Sequence, residues 1–173
     1  MTYIKHISPG RRFAGVFLLF LLALFSADHA FAGKKMPPFA LPSVLDGSTI
    51  DASSFSGKVL LINFFATWCP PCQREIPKLI ELQNNYGGET FTVIGISTDD
   101  STRKFVKKFI NKRKINYPVI MADDTVVKDF GDFVEIPVSF LVDRKGNIVK
   151  KYLGYVPQSI LEPDILELLP QAK

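Results

Sequence analysis

The sequence is poor in cysteine and histidine. Its 173 residues include two cysteines, Cys69 and Cys72, and two histidines, His6 and His29. Two thiols are too few for an all-cysteine zinc site, which needs four ligands. The residue after Cys72 is Gln73, so the C-x-x-C-H pattern of covalent haem attachment is absent. These absences leave dithiol chemistry as the reaction for which the chain is equipped.

The chain also lacks an apolar run long enough to cross a membrane. The stretch from Phe13 to Phe25 is shorter than the ~20 residues that a spanning helix needs. It follows three basic residues, Lys5, Arg11 and Arg12, and precedes Ala30-Phe31-Ala32. A basic start, a short apolar centre and an A-x-A exit are typical of a secretory signal peptide. We therefore predict a signal peptide over residues 1–32, with an uncleaved membrane anchor as the alternative, and a periplasmic or other extracytoplasmic location.

Both histidines fall within the predicted signal peptide, so the mature domain, residues 33–173, would contain none. Cys-His and Ser-His-Asp catalysis would then lack a base, and a Cys/His zinc site would lack ligands. No metal and no cofactor is expected. Cleavage would remove three of 21 basic and one of 17 acidic residues, which leaves a net charge of +2. This small charge gives no support to a nucleic-acid partner.

The two cysteines lie where a predicted strand is followed by a predicted helix. Residues 58–66 form a short β-branched and aromatic run, typical of a strand buried on both faces. Residues 73–86 carry apolar side chains with a helical period, and the two prolines between the cysteines suit a first helical turn. Unpaired N–H groups at a helix N-terminus favour a thiolate. We therefore expect Cys69 to be the nucleophile, ionised at neutral pH and open to solvent, with Cys72 resolving the mixed disulfide.

The rest of the sequence predicts a small α/β domain. Residues 33–38 are interpreted as a polar, proline-containing leader. A hairpin is predicted around Asp46-Gly47 and a strand over Thr90–Ser97. The next helix is opened by Asp99-Asp100-Ser101 and is expected to turn Phe105, Val106, Phe109 and Ile110 inward. The remaining predicted elements are a strand over Pro118–Met121, a helix over Asp123–Phe130, antiparallel strands over Val138–Val142 and Ile148–Tyr155, and a helix over Ser159–Leu169. A right-handed crossover would make the strands before and after the cysteine helix parallel.

The predicted helix after residue 101 has a strongly basic outer face, formed by Lys104, Lys107, Lys108, Lys112, Arg113 and Lys114. We interpret this face as solvated surface. Docking on an acidic partner or on anionic lipid is the alternative. Salt dependence of partner binding would distinguish the two.

Several stretches together form a recognisable combination, namely Gly57-Lys58, Asn63 to Cys72, Glu75-Ile76-Pro77, Ile136 to Asp143, Gly146 and Gly154. Through these stretches, residues 36–169 resemble the thioredoxin superfamily, and within it the exported thiol-disulfide oxidoreductases of the TlpA/ResA type. The resemblance implies a thioredoxin-like three-layer α/β sandwich. In that architecture a central mixed sheet is flanked by helices, with an N-terminal β-hairpin and an inserted helical segment.

The resemblance also implies a substrate-binding surface around the cysteines. It implies that the Ile136-Pro137 bond is cis and faces them, so Ile136 and Pro137 would bind an extended substrate. Trp68 would shield the disulfide and contact substrate, with a partly buried core position as the alternative.

The proposed exchange chemistry also needs a residue that accepts a proton from Cys72. Cytoplasmic thioredoxin has a buried Asp where this chain has Asn63, which cannot take a proton. In the similar ResA-type proteins a glutamate at the spacing of Glu75 borders the active site. Glu75 is therefore expected to accept the Cys72 proton, with an ordinary exposed helix residue as the alternative.

Together these features predict an exported oxidoreductase that reduces protein disulfides through the Cys69/Cys72 dithiol. The reducing direction is favoured because strongly oxidising relatives have a histidine between the cysteines, which stabilises the reduced thiolate. Pro70-Pro71 offers neither a charge nor a hydrogen-bond donor for that purpose. A reductase outside the cytoplasm implies a membrane thiol protein as electron donor. The family further implies cell redox homeostasis and, in cytochrome c biogenesis, apocytochrome c as a candidate substrate.

Two alternatives remain open at this stage. A thiol peroxidase of the peroxiredoxin type shares the fold, but its P-x-x-x-T-x-x-C pattern needs a proline and a threonine before the cysteine. This chain has Ile62 and Ala66 at those positions for Cys69, and Phe65 and Cys69 for Cys72. A non-catalytic thioredoxin-fold binding module with an inert disulfide is the other alternative.

Overall fold

The computed structural model describes residues 33–170. The predicted signal peptide and both histidines lie outside the described residues. Within residues 33–170, no helix combines the length and the apolar character needed to span a bilayer.

The described part of the chain alternates short strands and helices. The strands are β1 (Lys34–Lys35), β2 (Ala40–Pro42), β3 (Thr49–Asp51), β4 (Val59–Phe65), β5 (Phe91–Ser97), β6 (Val119–Met121), β7 (Val138–Val142) and β8 (Asn147–Leu153). The helices are α1 (Pro70–Tyr86), α2 (Arg103–Arg113), α3 (Asp124–Asp129) and α4 (Gln158–Leu168), and residues 52–55 form a 3₁₀ turn.

Six strands form one mixed sheet in the order β1-β8-β7-β4-β5-β6. Strand β4 lies near its centre, parallel to β5 and antiparallel to β7. The predicted parallel βαβ unit, the predicted β2–β3 hairpin and the predicted late antiparallel pair are therefore confirmed. Strand β1 was missed: Lys34 pairs with Ile148 at the edge of the sheet. Its two lysines give no apolar pattern from which a strand could be predicted. The strand is held by backbone pairing with β8.

Both faces of the central strand are buried, as its apolar sequence predicted. On one face, α1, α2 and α4 all contribute side chains to a single core cluster. On the opposite face Phe64 packs edge-to-face against Phe133 and Phe130, with ring centroids 4.7 and 5.2 Å apart, and against Phe140 at 6.0 Å. Alternation along β4 separates the two faces. The expected thioredoxin-like sandwich, a sheet flanked by helices, is confirmed.

Helix α2 differs from its prediction. It begins at Arg103 with Thr102 as the N-cap residue, not at Asp99 to Ser101. Asp99 is unavailable as a cap because its carboxylate accepts hydrogen bonds from Thr67 and Ser97. The predicted inward positions are right for Val106 and Ile110, and Phe109 packs partly buried against the same core. The prediction is wrong for Phe105, whose surface is 55% exposed. One helical turn separates Val106 from Ile110, and that single stripe faces the core.

Candidate active site

Cys69 and Cys72 lie at the start of α1. Cys69 is the N-cap residue, and its Sγ accepts a hydrogen bond from the backbone N–H of Cys72 at 3.3 Å. Pro70 and Pro71 occupy the first helical positions, where a missing N–H costs no helix hydrogen bond. The two sulfur atoms form a disulfide with Cα atoms 5.3 Å apart. The protein is thus described in its oxidised form.

The expectation that the Cys69 sulfur is open to solvent is wrong for this form. The surface of Cys69 is 3% exposed and that of Cys72 is 1% exposed. The carbonyl oxygen of Ile136 lies 3.7 Å from Cys69 Sγ, and the Ile136-Pro137 bond is cis, as predicted. Cys69 is buried because the disulfide joins its sulfur to the first turn of α1 while the loop before β7 covers it.

Glu75 lies one turn further along α1 and is buried, with 1% of its surface exposed. The alternative of an ordinary exposed helix residue is therefore wrong. Burial raises the pKa of Glu75 from 4.5 to about 7. Two hydrogen bonds oppose that rise: Val156 N–H donates to Oε1 at 3.3 Å, and Asn63 Nδ2 donates to Oε2 at 3.0 Å. A carboxyl group with this pKa can exchange a proton near neutral pH.

Sequence reasoning singled out Asn63 but missed the other residues that surround this carboxyl group. Asn63 also donates to Ser139 Oγ at 2.9 Å, and the two residues are directly opposed in the β4–β7 register. Tyr117 is buried nearby, and its pKa is raised by that burial and by the charge of Glu75. A polar Ser139 within an otherwise apolar strand was the one sequence signal that could have revealed part of this network.

Asp99 anchors the segment that precedes Cys69. Its carboxylate accepts a hydrogen bond from the backbone N–H of Thr67 at 2.9 Å and another from Thr67 Oγ1 at 2.5 Å. Ser97 Oγ donates to the same carboxylate at 2.7 Å. Since Thr67 is buried, these bonds hold the chain that enters α1 in one position.

Trp68 lies on the outer side of this segment and is 68% exposed. The alternative of a partly buried core aromatic is therefore wrong. The indole forms one wall of a groove of about 640 Å³ that runs between α1 and α2. The residues that shape its other walls are Gln73, Ser101, Phe105, Phe109, Lys112 and Arg113.

A second exposed apolar rim lies beside the loop that contains Pro137. The backbone N–H of Gly154 donates to the Pro137 carbonyl at 2.8 Å. The neighbours of Gly154 in the chain, Leu153 and Tyr155, are 68% and 42% exposed. Apolar side chains therefore reach solvent next to Cys69 in the chain and next to the loop that contains Pro137.

Within residues 33–170, no three His, Cys, Asp or Glu side chains lie close enough together to hold a metal ion. The chemical groups that the described site offers are the Cys69–Cys72 pair and the Glu75 carboxyl group.

Comparisons with known proteins agree with this geometry. The family model described as Redoxin matches residues 31–169. The thiol-disulfide oxidoreductase ResA of Bacillus thuringiensis subsp. konkukian is 31% identical over 139 residues, which cover 80% of this chain and 79% of that relative. ResA of Bacillus subtilis is 28% identical over 164 residues, 90% of each chain. Among solved structures, a thioredoxin-family thiol:disulfide interchange protein from Chlorobium tepidum is 30% identical, with a TM-score of 0.72 over 79% of this chain and 96% of that one.

Proposed function

The chain belongs to the Redoxin family and is a ResA-like thiol-disulfide oxidoreductase, and from this premise we propose that it is an exported reductase of protein disulfides. The observation that carries the proposal is the Cys69–Cys72 disulfide at the N-terminus of α1, one turn from a buried carboxyl group. Export is supported by the basic and apolar pattern of residues 1–32.

The proposed reaction starts from the reduced form. The Cys69 thiolate attacks one sulfur of a client disulfide, the client S–S bond breaks, and a mixed disulfide forms as the first client thiolate leaves. Cys72, once deprotonated, attacks the Cys69 sulfur and releases the second client thiolate. The client has gained two electrons, and the protein has returned to the Cys69–Cys72 disulfide.

Glu75 is the proposed acceptor of the Cys72 proton. Residues three apart on a helix share a face, so the carboxyl group follows Cys72 on the same side of α1. Its pKa of about 7 supports this role because both proton uptake and release are then accessible near neutral pH. Asn63 and the Val156 N–H orient the carboxyl group without competing for the proton.

Substrate binding is proposed for Trp68, Ile136 and Pro137. The Ile136 carbonyl is the backbone acceptor next to the Cys69 sulfur, which supports pairing with an extended client segment. The exposed indole of Trp68 supports contact with the same client on the other side.

The reducing direction requires an electron source. We propose a membrane thiol protein that reduces the Cys69–Cys72 disulfide by the same exchange chemistry. The proline spacer supports this direction because it supplies no group that would stabilise the reduced thiolate. Apocytochrome c, in cytochrome c maturation, is one candidate client.

Redox titration of the mature domain, residues 33–173, tests the direction. We expect a potential nearer the value of about −270 mV for thioredoxin than the value of about −120 mV for the strong oxidant DsbA. A potential near that of DsbA would reverse the assigned direction.

The Cys72→Ser variant should accumulate a mixed disulfide with a disulfide-containing client through Cys69. Absence of that adduct would contradict the proposed order of attack, and rapid peroxide consumption would favour a thiol peroxidase.

A further inference from the structure

The groove between α1 and α2 has a composition that the disulfide chemistry itself does not require. Trp68 and Phe105 form its apolar walls, and each side chain is more than half exposed. Lys112 and Arg113 form its basic end. Large aromatic side chains exposed side by side mark a binding surface more often than chance. Since Trp68 immediately precedes Cys69, whatever occupies the groove contacts the segment of chain that leads into the reacting cysteine.

The charged residues that line the groove balance in number but differ in availability. Lys112 and Arg113 contribute two exposed positive charges, and Asp100 contributes one exposed negative charge. Asp99 adds a second negative charge, but its carboxylate is buried and already accepts hydrogen bonds from Thr67 and Ser97. The excess of positive charge on this side comes from α2, whose sequence has six basic residues and no acidic one.

Arg113, one of the two basic residues of the groove, is held in position. The guanidinium group of Arg113 donates a hydrogen bond to Gln73 Oε1 on α1 and lies over the Phe109 ring, 5.4 Å from its centroid. An arginine fixed in this way presents its remaining donors without losing much side-chain freedom on binding. Carboxylates are the groups that such a planar donor set matches.

From these observations we propose that the groove binds an acidic segment of the client polypeptide that flanks its reacting cysteine, with an apolar side chain between Trp68 and Phe105. The inference rests on the proposed function, since it assigns the chemistry of the client. A volume of about 640 Å³ lies within the range of about 300–1,000 Å³ usual for ligand sites. A concave site with aromatic walls favours an extended peptide over the flat surface of an anionic membrane.

Three synthetic disulfide peptides test the proposal. Each contains phenylalanine and cysteine, flanked by two glutamates, two glutamines or two lysines, and each cysteine is joined to 2-nitro-5-thiobenzoate. Attack by the reduced protein on the peptide sulfur releases the coloured thiol, so the second-order rate constant is followed by absorbance. At low ionic strength we expect the glutamate peptide to react about tenfold faster than the glutamine peptide and the lysine peptide to react more slowly. The differences should shrink towards 1 M salt, where the screening length is about 3 Å.

Two charge-matched variants locate the effect. Lys112→Glu/Arg113→Glu should invert the order of the acidic and basic peptides, as judged by the ratio of rate constants within that variant. Lys104→Glu/Lys108→Glu changes the same helix by the same charge outside the groove and should keep the original order. Phe105→Ser should slow the glutamate peptide about threefold at every salt concentration, because the apolar wall is lost without a change in charge.

Each other outcome overturns the proposal. Equal rate constants for the three peptides would reject the binding of acidic segments in the groove but leave the oxidoreductase function intact. If no peptide reacted, the proposed function itself would be rejected. If both double variants lose the preference for the acidic peptide equally, the overall positive electrostatic field of α2 sets that preference, and not a binding site in the groove. Release of the protein from phosphatidylglycerol vesicles by Lys112→Glu/Arg113→Glu, with unchanged peptide rates, would assign the surface to a membrane.

Discussion

The two sides of the Cys69–Cys72 disulfide have opposite surroundings. On the inner side Asn63, Glu75 and Ser139 are each no more than 2% exposed and are joined by hydrogen bonds. On the outer side Trp68 and Phe105 are 68% and 55% exposed. Polar groups joined by hydrogen bonds therefore lie on the buried side, and large aromatic side chains lie on the side that water reaches.

If the proposed roles hold, this difference separates proton transfer by Glu75 from client recognition by Trp68 and Phe105. Removal of water raises the pKa of Glu75 to about 7, which an exposed glutamate would not reach. A client, by contrast, can contact only groups that reach the surface. We expect substitutions on the inner side to change pH dependence and stability, and substitutions on the outer side to change client preference with little effect on folding.

The largest effect is expected at the sulfur that joins the two sides. Cys69→Ser should abolish reduction of client disulfides, because a serine hydroxyl stays protonated and cannot replace the thiolate. Cys72→Ser is the matched control: it should complete one attack and stop at the mixed disulfide. Mass spectrometry of the protein after incubation with an oxidised peptide would detect the adduct. An adduct in the Cys69→Ser protein would instead identify Cys72 as the first nucleophile.

The second effect is a dependence of stability on pH. The pKa of Glu75 is raised in the folded protein, so the folded state holds a proton that the unfolded state has released between pH 4.5 and about 7. Stability from this group is therefore greatest below pH 4.5 and is lost as pH rises through about 7, by about 3 kcal/mol. Denaturant unfolding of the oxidised protein at a series of pH values measures it.

Glu75→Gln is the control for that measurement, because an amide does not titrate. The difference in unfolding free energy between the native protein and this variant should change with pH in the same window. The same variant should slow client reduction and alter its pH profile. A constant stability difference would mean that Glu75 has an ordinary pKa, and an unchanged rate profile would remove it from the mechanism.

A smaller inner-side effect is expected at Asn63. Asn63→Ala removes the hydrogen bond to Glu75 and the one to Ser139, at a cost of about 1–3 kcal/mol. Loss of a donor to the carboxylate should also raise the pKa of Glu75 further, and the pH dependence of client reduction should move up with it. Ser139→Ala, which keeps the Asn63–Glu75 bond, should leave that pH dependence in place. Equal shifts in the two variants would contradict the assigned role of the Asn63 donor.

The smallest stability effect is expected on the outer side, although the residues there are large. Trp68→Ala and Phe105→Ser should each change the unfolding free energy by less than about 0.5 kcal/mol. Phe64→Ala provides the contrast: this fully buried aromatic should cost about 3–5 kcal/mol. Thermal or denaturant unfolding of the three variants would measure the differences. A large loss of unfolding free energy in the Trp68→Ala variant would show that this side chain contributes to the structural core.

Much of the fold could be predicted because its signals are local. The buried strand β4 and the helix α1 follow from an apolar run and a helical period, and the turn at Asp143 to Asn147 follows from its residue types. Strand β1 could not be predicted, since two lysines gain their strand conformation only from pairing with β8. The inward face of α2 was predicted correctly for Val106, Phe109 and Ile110 but not for Phe105, because Phe105 and Val106 are adjacent in a pattern that allows either to face the core.

The sequence by itself determined the local arrangement of the site: a strand, a turn with two prolines, and a helix whose first residue follows Cys69. Tertiary structure decided the environment of those groups. Glu75 receives its hydrogen bonds from residues 12 and 81 positions away, and Cys69 is covered by a carbonyl 67 positions away. Burial, pKa and access to solvent are properties of neighbours in space. They were set only when distant segments packed around α1, which is why the open sulfur expected from the sequence is buried in the oxidised protein.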